Sequence, residues 1–249
     1  MKLSSLIALA VFAFAGADAG ALDAPPPAPA PQNTPAPAAA PALPTPEPVR
    51  KAALPVPGAG AGPTPPPPSI EAKSWVLMDY TSGQILAGDN ADLRVAPASI
   101  TKVMTSYVVS AELAHGKINM DDPVSISEKA WRSGGAGTDG STSFLQLDSK
   151  VPLKDLLYGM IIQSGNDAAI ALAEHTAGSE QAFANRMNQD AARRGMTGTH
   201  YVDASGLPNP DHYTTARDVA LMSRALIRDY PEEYKIYAIK DFEWNGIMQ

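Results

Sequence analysis

Most of the 24 prolines in this 249-residue chain fall between Ala24 and Ser69, interleaved with alanine and, at 58, 60 and 62, with glycine. Each proline locks φ and removes a backbone donor, so neither a helix nor a sheet interior can run through such a stretch. Large apolar residues are almost absent from it, so it cannot bury enough surface to offset its ordering entropy. Residues 21–69 are therefore expected to be a disordered linker, partly polyproline II, extending at most ~3.1 Å per residue. Pro-rich tracts also serve as partner ligands. No positively charged Pro-x-x-Pro context occurs here, which favours a spacer.

The linker isolates two other segments. Ahead of it, Met1-Lys2 gives a short positive start, Leu6–Ala17 is an apolar or small-residue run, and Ala17-Asp18-Ala19 and Ala19-Gly20-Ala21 are both acceptable cleavage patterns. Residues 1–20 read as a secretory signal peptide. An apolar run of about 12 residues is too short for a membrane span, which needs roughly 20. Behind the linker, residues 70–249 amount to one domain's worth of chain. With no cysteine, neither a disulfide framework nor a zinc–thiolate site is available. A net charge of −7 argues against nucleic acid as the main partner, because phosphate neutralisation needs clustered Lys and Arg.

Within that domain, Lys73–Met78 and Gln84–Ala87 read as two strands joined through Asp79-Tyr80-Thr81-Ser82-Gly83, a hairpin with a longer loop. A buried helix is expected from Ser99 to Leu113. Gly134–Ser143 has the composition of a flexible surface loop. Leu153, Leu156, Leu157, Met160 and Ile161 recur on one helical face after Pro152. The helix expected over 167–177 is apolar nearly all round and should be central. Gln181–Arg194 and Thr215–Arg228 complete the helices, the latter with Thr215 as N-cap and Asp218 in its first turn. A strand-like tail follows over Tyr237–Trp244. Segregated strands and helices of this kind indicate an α+β fold: a helical cluster with an antiparallel sheet.

Two short patterns carry chemistry. In Ser99-Ile100-Thr101-Lys102 the serine and lysine stand at i and i+3, on one helical face. A lysine buried in apolar surroundings loses its preference for the charged form and can take the serine's proton. Free N–H groups at the helix N-terminus can stabilise an oxyanion. Thr101 points away from Lys102 and is given no role. By itself Ser-x-x-Lys is a weak pattern, equally met as a solvated pair on a helix surface. The second pattern, Gln163-Ser164-Gly165-Asn166-Asp167, lies between two strongly apolar helices. It is either a plain helix stop with Asn166 capping the next helix, or a turn that aims Ser164 and Asn166 into a cleft. The four histidines, 115, 175, 200 and 212, have no metal-ligand spacing. His175 reads as a packed or capping residue, and no Gly-x-Ser-x-Gly elbow is present.

Ser-x-x-Lys followed by Ser-x-Asn is the ordered signature of penicillin-binding proteins and serine β-lactamases. The wider text, APASITKVMT, IIQSGNDAAIALAE, GMTGTHYVDASGL and TTARDVALMSRALI, resembles the low-molecular-mass D-alanyl-D-alanine carboxypeptidases. That resemblance implies a penicillin-binding-protein/β-lactamase-like transpeptidase fold. It implies Ser99 as nucleophile, Lys102 as base, Ser164 as proton relay and Asn166 in positioning, with no metal or other cofactor. The implied partners are peptidoglycan stem peptides and β-lactam antibiotics, met in the periplasm or on the wall side of the inner membrane. A DD-endopeptidase would use the same apparatus and differ only in substrate access. No glutamate lies between Glu180 and Glu232, where a class A β-lactamase would need one for its deacylating water, so β-lactam adducts are expected to persist. The family's third motif, Lys-Thr-Gly, is absent, and Arg132-Ser133-Gly134 reads as loop. The domain is thus expected to be incomplete at its C-terminus, with membrane association through a C-terminal anchor belonging to a longer form. A non-catalytic truncated remnant is the remaining alternative.

Overall fold

The computed structural model describes residue 67, residues 69–135, residue 138 and residues 140–248. The expected signal peptide and nearly all of the linker lie outside the described residues. The unit from Glu71 onward carries the fold described below.

The expected hairpin forms from β1 (Trp75–Met78) and β2 (Ile85–Asp89), with Trp75 opposite Asp89 and a bulge between Leu77 and Met78. Its turn is closed by Asp79, whose Oδ1 accepts from the Ser82 N–H at 2.7 Å and the Ser82 hydroxyl at 2.6 Å, while Gly83 takes φ +75. A one-turn 3-10 helix, Ala98–Ile100, then leads into α1 (Thr101–Ala114). Ser99 therefore stands on a tighter turn ahead of α1 and not on its first turn, where the sequence had suggested it.

Three short elements were not anticipated. Strands β3 (Pro123–Ser125) and β4 (Lys150–Pro152) pair antiparallel, and between them runs α2 (Glu128–Gly134). The α2 N-cap is Ser127, whose Oγ accepts from the Ala130 N–H at 3.0 Å and donates to Glu174 at 2.7 Å. Arg132-Ser133-Gly134, expected as loop, is its last turn. Gly134 is needed there, because a Cβ would run into the backbone of Asn166 and Asp167.

Helices α3 (Leu153–Ile162), α4 (Asn166–Ala177), α5 (Glu180–Arg193) and α6 (Ala216–Asp229) match the sequence reading within a residue or two. Thr215 caps α6 as expected, accepting from the Asp218 N–H at 3.1 Å. The tail differs. Pro231 starts a four-residue helix, α7 (Pro231–Tyr234), a 3-10 turn spans Lys235–Ala238, and β5 (Glu243–Trp244) pairs with β6 (Ile247–Met248). Within the stretch read as a strand, Glu243–Trp244 is extended and paired, whereas Tyr237 and Ala238 belong to the 3-10 turn and Tyr237 and Ile239 stay exposed.

Helix α4 is the centre of the cluster, packed against α1, α2, α3 and α5. Ala168, Ala169, Ile170, Ala171, Leu172 and Ala173 are all buried, and the small side chains let four neighbours approach closely. Around them lie Met104, Leu153, Leu156, Leu157, Met160, Phe183, Met187, Met222 and Leu226. Each large side chain so buried contributes ~1.5–3 kcal/mol. The hairpin β1–β2 rests on α6 through Val76, Ala216 and Ala220. Arg224 ties the two together, donating to the carbonyls of Tyr80 at 2.6 Å and Thr81 at 3.0 Å. The class is α+β, with two-stranded antiparallel pieces in place of a single sheet. No helix among the described residues is long and apolar enough to cross a membrane.

Candidate active site

The 3-10 turn leaves Ser99 exposed at the head of α1, and Lys102 follows one turn later with its side chain 4 % exposed. The lysine Nζ donates to Ser99 Oγ at 3.1 Å, to Asn166 Oδ1 at 2.7 Å and to the Ser205 carbonyl at 2.8 Å. All three ammonium hydrogens thus have acceptors. Burial nevertheless pushes the lysine down to about 8, against the opposing pull of the Asp203 and Asp167 carboxylates. A lysine so placed gives up its proton far more readily than one in water. Beside a serine hydroxyl that is the requirement for a general base.

The second pattern is a turn, as its polar residues suggested, and it brings Asn166 to Lys102. The capping alternative does not hold: Asn166 is the first residue of α4, Gly165 occupies the N-cap position, and no side chain caps there. Ser164 is half-buried in the left-handed region at φ +62, and its Oγ has no hydrogen-bond partner among the described residues. A serine held in this way carries backbone strain and an unsatisfied hydroxyl, a combination met where function imposes the geometry. Gly165 has no room for a side chain, because a Cβ would collide with the buried Ser143 Oγ.

Asp167, next along, was not singled out from the sequence. Fully buried, it accepts four hydrogen bonds: Ser143 N–H at 2.8 Å, Ala168 N–H at 2.9 Å, the Thr142 hydroxyl at 2.8 Å and Leu145 N–H at 3.1 Å. It pins the described part of the Gly134–Ser143 stretch beside the α4 N-terminus, and the Asn166 N–H adds a bond to the Ser141 carbonyl at 2.9 Å. That end of the expected flexible loop is in fact fastened to the site. An acidic residue opening an otherwise apolar helix was the available signal. Ser205, a backbone acceptor for Lys102, had no side-chain signal at all.

His175 is partly exposed and faces Asp122 at 3.4 Å. Among the described residues no cluster of three or more His, Asp or Glu side chains could hold a metal ion.

A profile of the D-alanyl-D-alanine carboxypeptidase family matches residues 61–249. The chain belongs to this family. It is 47% identical over 182 residues to D-alanyl-D-alanine carboxypeptidase DacC of Escherichia coli K12, covering 73% of this chain and 46% of that one. To DacA of Haemophilus influenzae it is 48% identical over 180 residues, 72% of this chain and 45% of the other. Among solved structures it is similar to penicillin binding protein 5 of Haemophilus influenzae, with a TM-score of 0.72 at 47% identity, covering 75% of this chain and 54% of that one. The chain therefore spans about half the length of these relatives. The fold is that of the penicillin-binding DD-peptidases, and Ser99, Lys102, Ser164 and Asn166 lie inside the matched region.

Proposed function

We propose that the protein is a serine-type D-Ala-D-Ala carboxypeptidase that removes the terminal D-alanine from peptidoglycan stem pentapeptides. The observation that carries this reading is the contact between Ser99 Oγ and Lys102 Nζ, with the lysine's proton affinity lowered by burial. In the free-base form Lys102 takes the Ser99 proton as Oγ attacks the carbonyl carbon of the penultimate D-alanine. The tetrahedral adduct collapses, the C–N bond breaks, and the departing amine receives a proton by way of Lys102 and Ser164. Water then attacks the ester on Ser99, releasing the shortened peptide and returning the proton to the serine. Asn166 holds the lysine throughout. A β-lactam follows the same first step, but its leaving nitrogen stays tethered by the opened ring.

The substrate lies outside the cytoplasm, and the leader-like residues 1–20 with the Pro/Ala spacer suit an exported enzyme whose catalytic domain works at a distance from its point of attachment. The names of the relatives support the same chemistry for this chain. Intact-mass spectrometry of the protein after incubation with a penicillin, with Ser99→Ala alongside, tests the reading. One adduct per chain, absent in the variant, is expected. A folded chain that takes up no penicillin overturns it.

A further inference from the structure

Below the Ser99–Lys102 pair a second polar chain runs through the interior, and the mechanism above does not use it. Thr101, fully buried, faces His212 Nε2 through its Oγ1 at 2.9 Å. His212 is 3 % exposed, and its Nδ1 lies 3.2 Å from Asp203 Oδ2. The other carboxylate oxygen of Asp203 accepts from the Ser205 N–H at 2.8 Å, the Gly206 N–H at 2.6 Å and the Ser205 hydroxyl at 3.2 Å. The turn Asp203–Gly206 is thereby folded around its own first side chain. It is gripped from two further sides: Thr105 of α1 donates to the Ala204 carbonyl at 2.6 Å, and the Ala204 N–H donates to the buried Glu180 at 3.2 Å.

This turn reaches the reacting groups in two places. Its Ser205 carbonyl is the third acceptor of Lys102, and Gly206, at φ +89, lies so close under Ala98 that a Cβ would overlap the Ala98 carbonyl and crowd Thr101 Oγ1. Ala98, immediately before the nucleophile, is itself in the left-handed region at φ +47. One end of the buried chain thus starts beside Lys102 on α1, and the other sets the backbone against which both Ser99 and Lys102 are held.

We propose that Thr101, His212 and Asp203 are positioning residues for the nucleophile–base pair, holding the Asp203–Gly206 turn so that the Ser205 carbonyl stays on Lys102 and Gly206 stays under Ala98. The proposal rests on the functional reading above for its effect on acylation, but not for its effect on the lysine. The imidazole is faced by Asp203 at Nδ1, Thr101 at Nε2, the edge-on Tyr201 ring and a weak Val202 N–H contact at 3.4 Å. Burial pushes the Asp203 carboxyl up, yet the hydrogen bonds from His212, Gly206 and Ser205 outweigh that and hold it below the usual range. The imidazole thus bridges the Asp203 carboxylate at Nδ1 and the Thr101 hydroxyl at Nε2. Lys102 is faced by Ser99, Asn166, the Ser205 carbonyl and, through space, Asp203 and Asp167.

Thr101→Val removes the hydroxyl at nearly constant volume, and Thr101→Ser returns it. Two measurements on the full chain decide: an NMR titration of the Lys102 Cε carbon, and the rate of penicillin adduct formation by intact mass. In Thr101→Val the turn slackens and the carbonyl that favours the ammonium form is lost, so Lys102 should titrate lower by about half a unit or more. Acylation should slow by about tenfold to a hundredfold, the size of a displaced reacting pair. Thr101→Ser should restore both. A Thr101→Val protein that melts earlier but keeps the wild-type lysine titration and acylation rate overturns the proposal. If Thr101→Val does not fold, His212→Asn, which leaves the Asp203 charge in place and removes the Thr101 contact, carries the same expectations. If the wild-type chain forms no adduct, the functional reading fails, and the lysine titration alone then decides for or against the positioning role.

Discussion

Gly206 leaves no space for a side chain between its own Cα and the carbonyl oxygen of Ala98, the residue before Ser99. The approach is closed by a left-handed glycine on one side and a left-handed alanine on the other, at φ +89 and φ +47. Gly206→Ala is expected to cost about 3 kcal/mol or more, from the φ penalty and the overlap together. Chemical denaturation measures the loss. A variant as stable as the parent would mean that the two segments part easily.

Acylation should follow the ionisation of Lys102. With the lysine lowered to about 8, the free base is the minor form at neutral pH and the major form above it. The rate of penicillin adduct formation is expected to rise about tenfold per pH unit below that value and to level off above it. A profile that is flat from pH 6 to 9 would remove Lys102 from the role of base.

The same burial has a consequence for stability. The folded-state value, about 8, is below the ordinary 10.5, so the folded chain binds fewer protons than the unfolded one in the interval between them. The penalty for keeping the ammonium in the fold is present in full below about 8 and disappears as pH rises towards 10.5. At 1.36 kcal/mol per unit it amounts to roughly 3 kcal/mol. Relative to Lys102→Met, the wild type should therefore gain stability as pH is raised across that window. Paired urea titrations at pH 7 and pH 10 would expose a constant difference if the inference were wrong.

Asp167→Ala would leave the N–H groups of Ser143, Leu145 and Ala168 without their acceptor in a buried place. Each stranded donor costs about 1–3 kcal/mol, so a loss of several kcal/mol is expected, concentrated where residues 140–145 meet α4. Hydrogen exchange at Ser143 and Leu145 should accelerate well beyond exchange in α5. Equal acceleration in both regions would mean that the carboxylate acts only on global stability.

Ser164 holds a positive φ that glycine adopts without strain. Ser164→Gly should keep or raise the melting temperature, with a gain of up to about 1 kcal/mol, while penicillin acylation falls. Loss of stability in this variant would show that the hydroxyl supports the turn.

The sequence was most legible where periodicity was long. Helices α3, α5 and α6 stand within a residue or two of their expected positions because each has an apolar stripe and a recognisable cap or stop. Strands β3 and β4, at three residues each, and α2, at seven, are too short to carry a period; β3 and α2 are set by packing on α4, and β4 by its pairing with β3 and its contact with α3. Ser99, Lys102, Ser164 and Asn166 were legible as spaced patterns. Asp203, Ser205 and His212 were not, because they reach the site through a backbone carbonyl and through partners more than 100 positions away along the chain. The Tyr237–Trp244 tail was read correctly only at its end: Glu243–Trp244 is a strand, while Tyr237 and Ala238 finish a 3-10 turn too short to leave a period in the sequence.

The three acceptors around Lys102 differ in one respect that decides where its lone pair must point. Asn166 Oδ1 and the Ser205 carbonyl can only receive hydrogens, whereas Ser99 Oγ can also offer one. Once the ammonium has lost a proton, two hydrogens remain, and both stay anchored on the two carbonyl-type oxygens. The vacated corner of the tetrahedron is the one turned towards Ser99. The amine is aimed at the Ser99 proton by elimination, a direction set before anything binds.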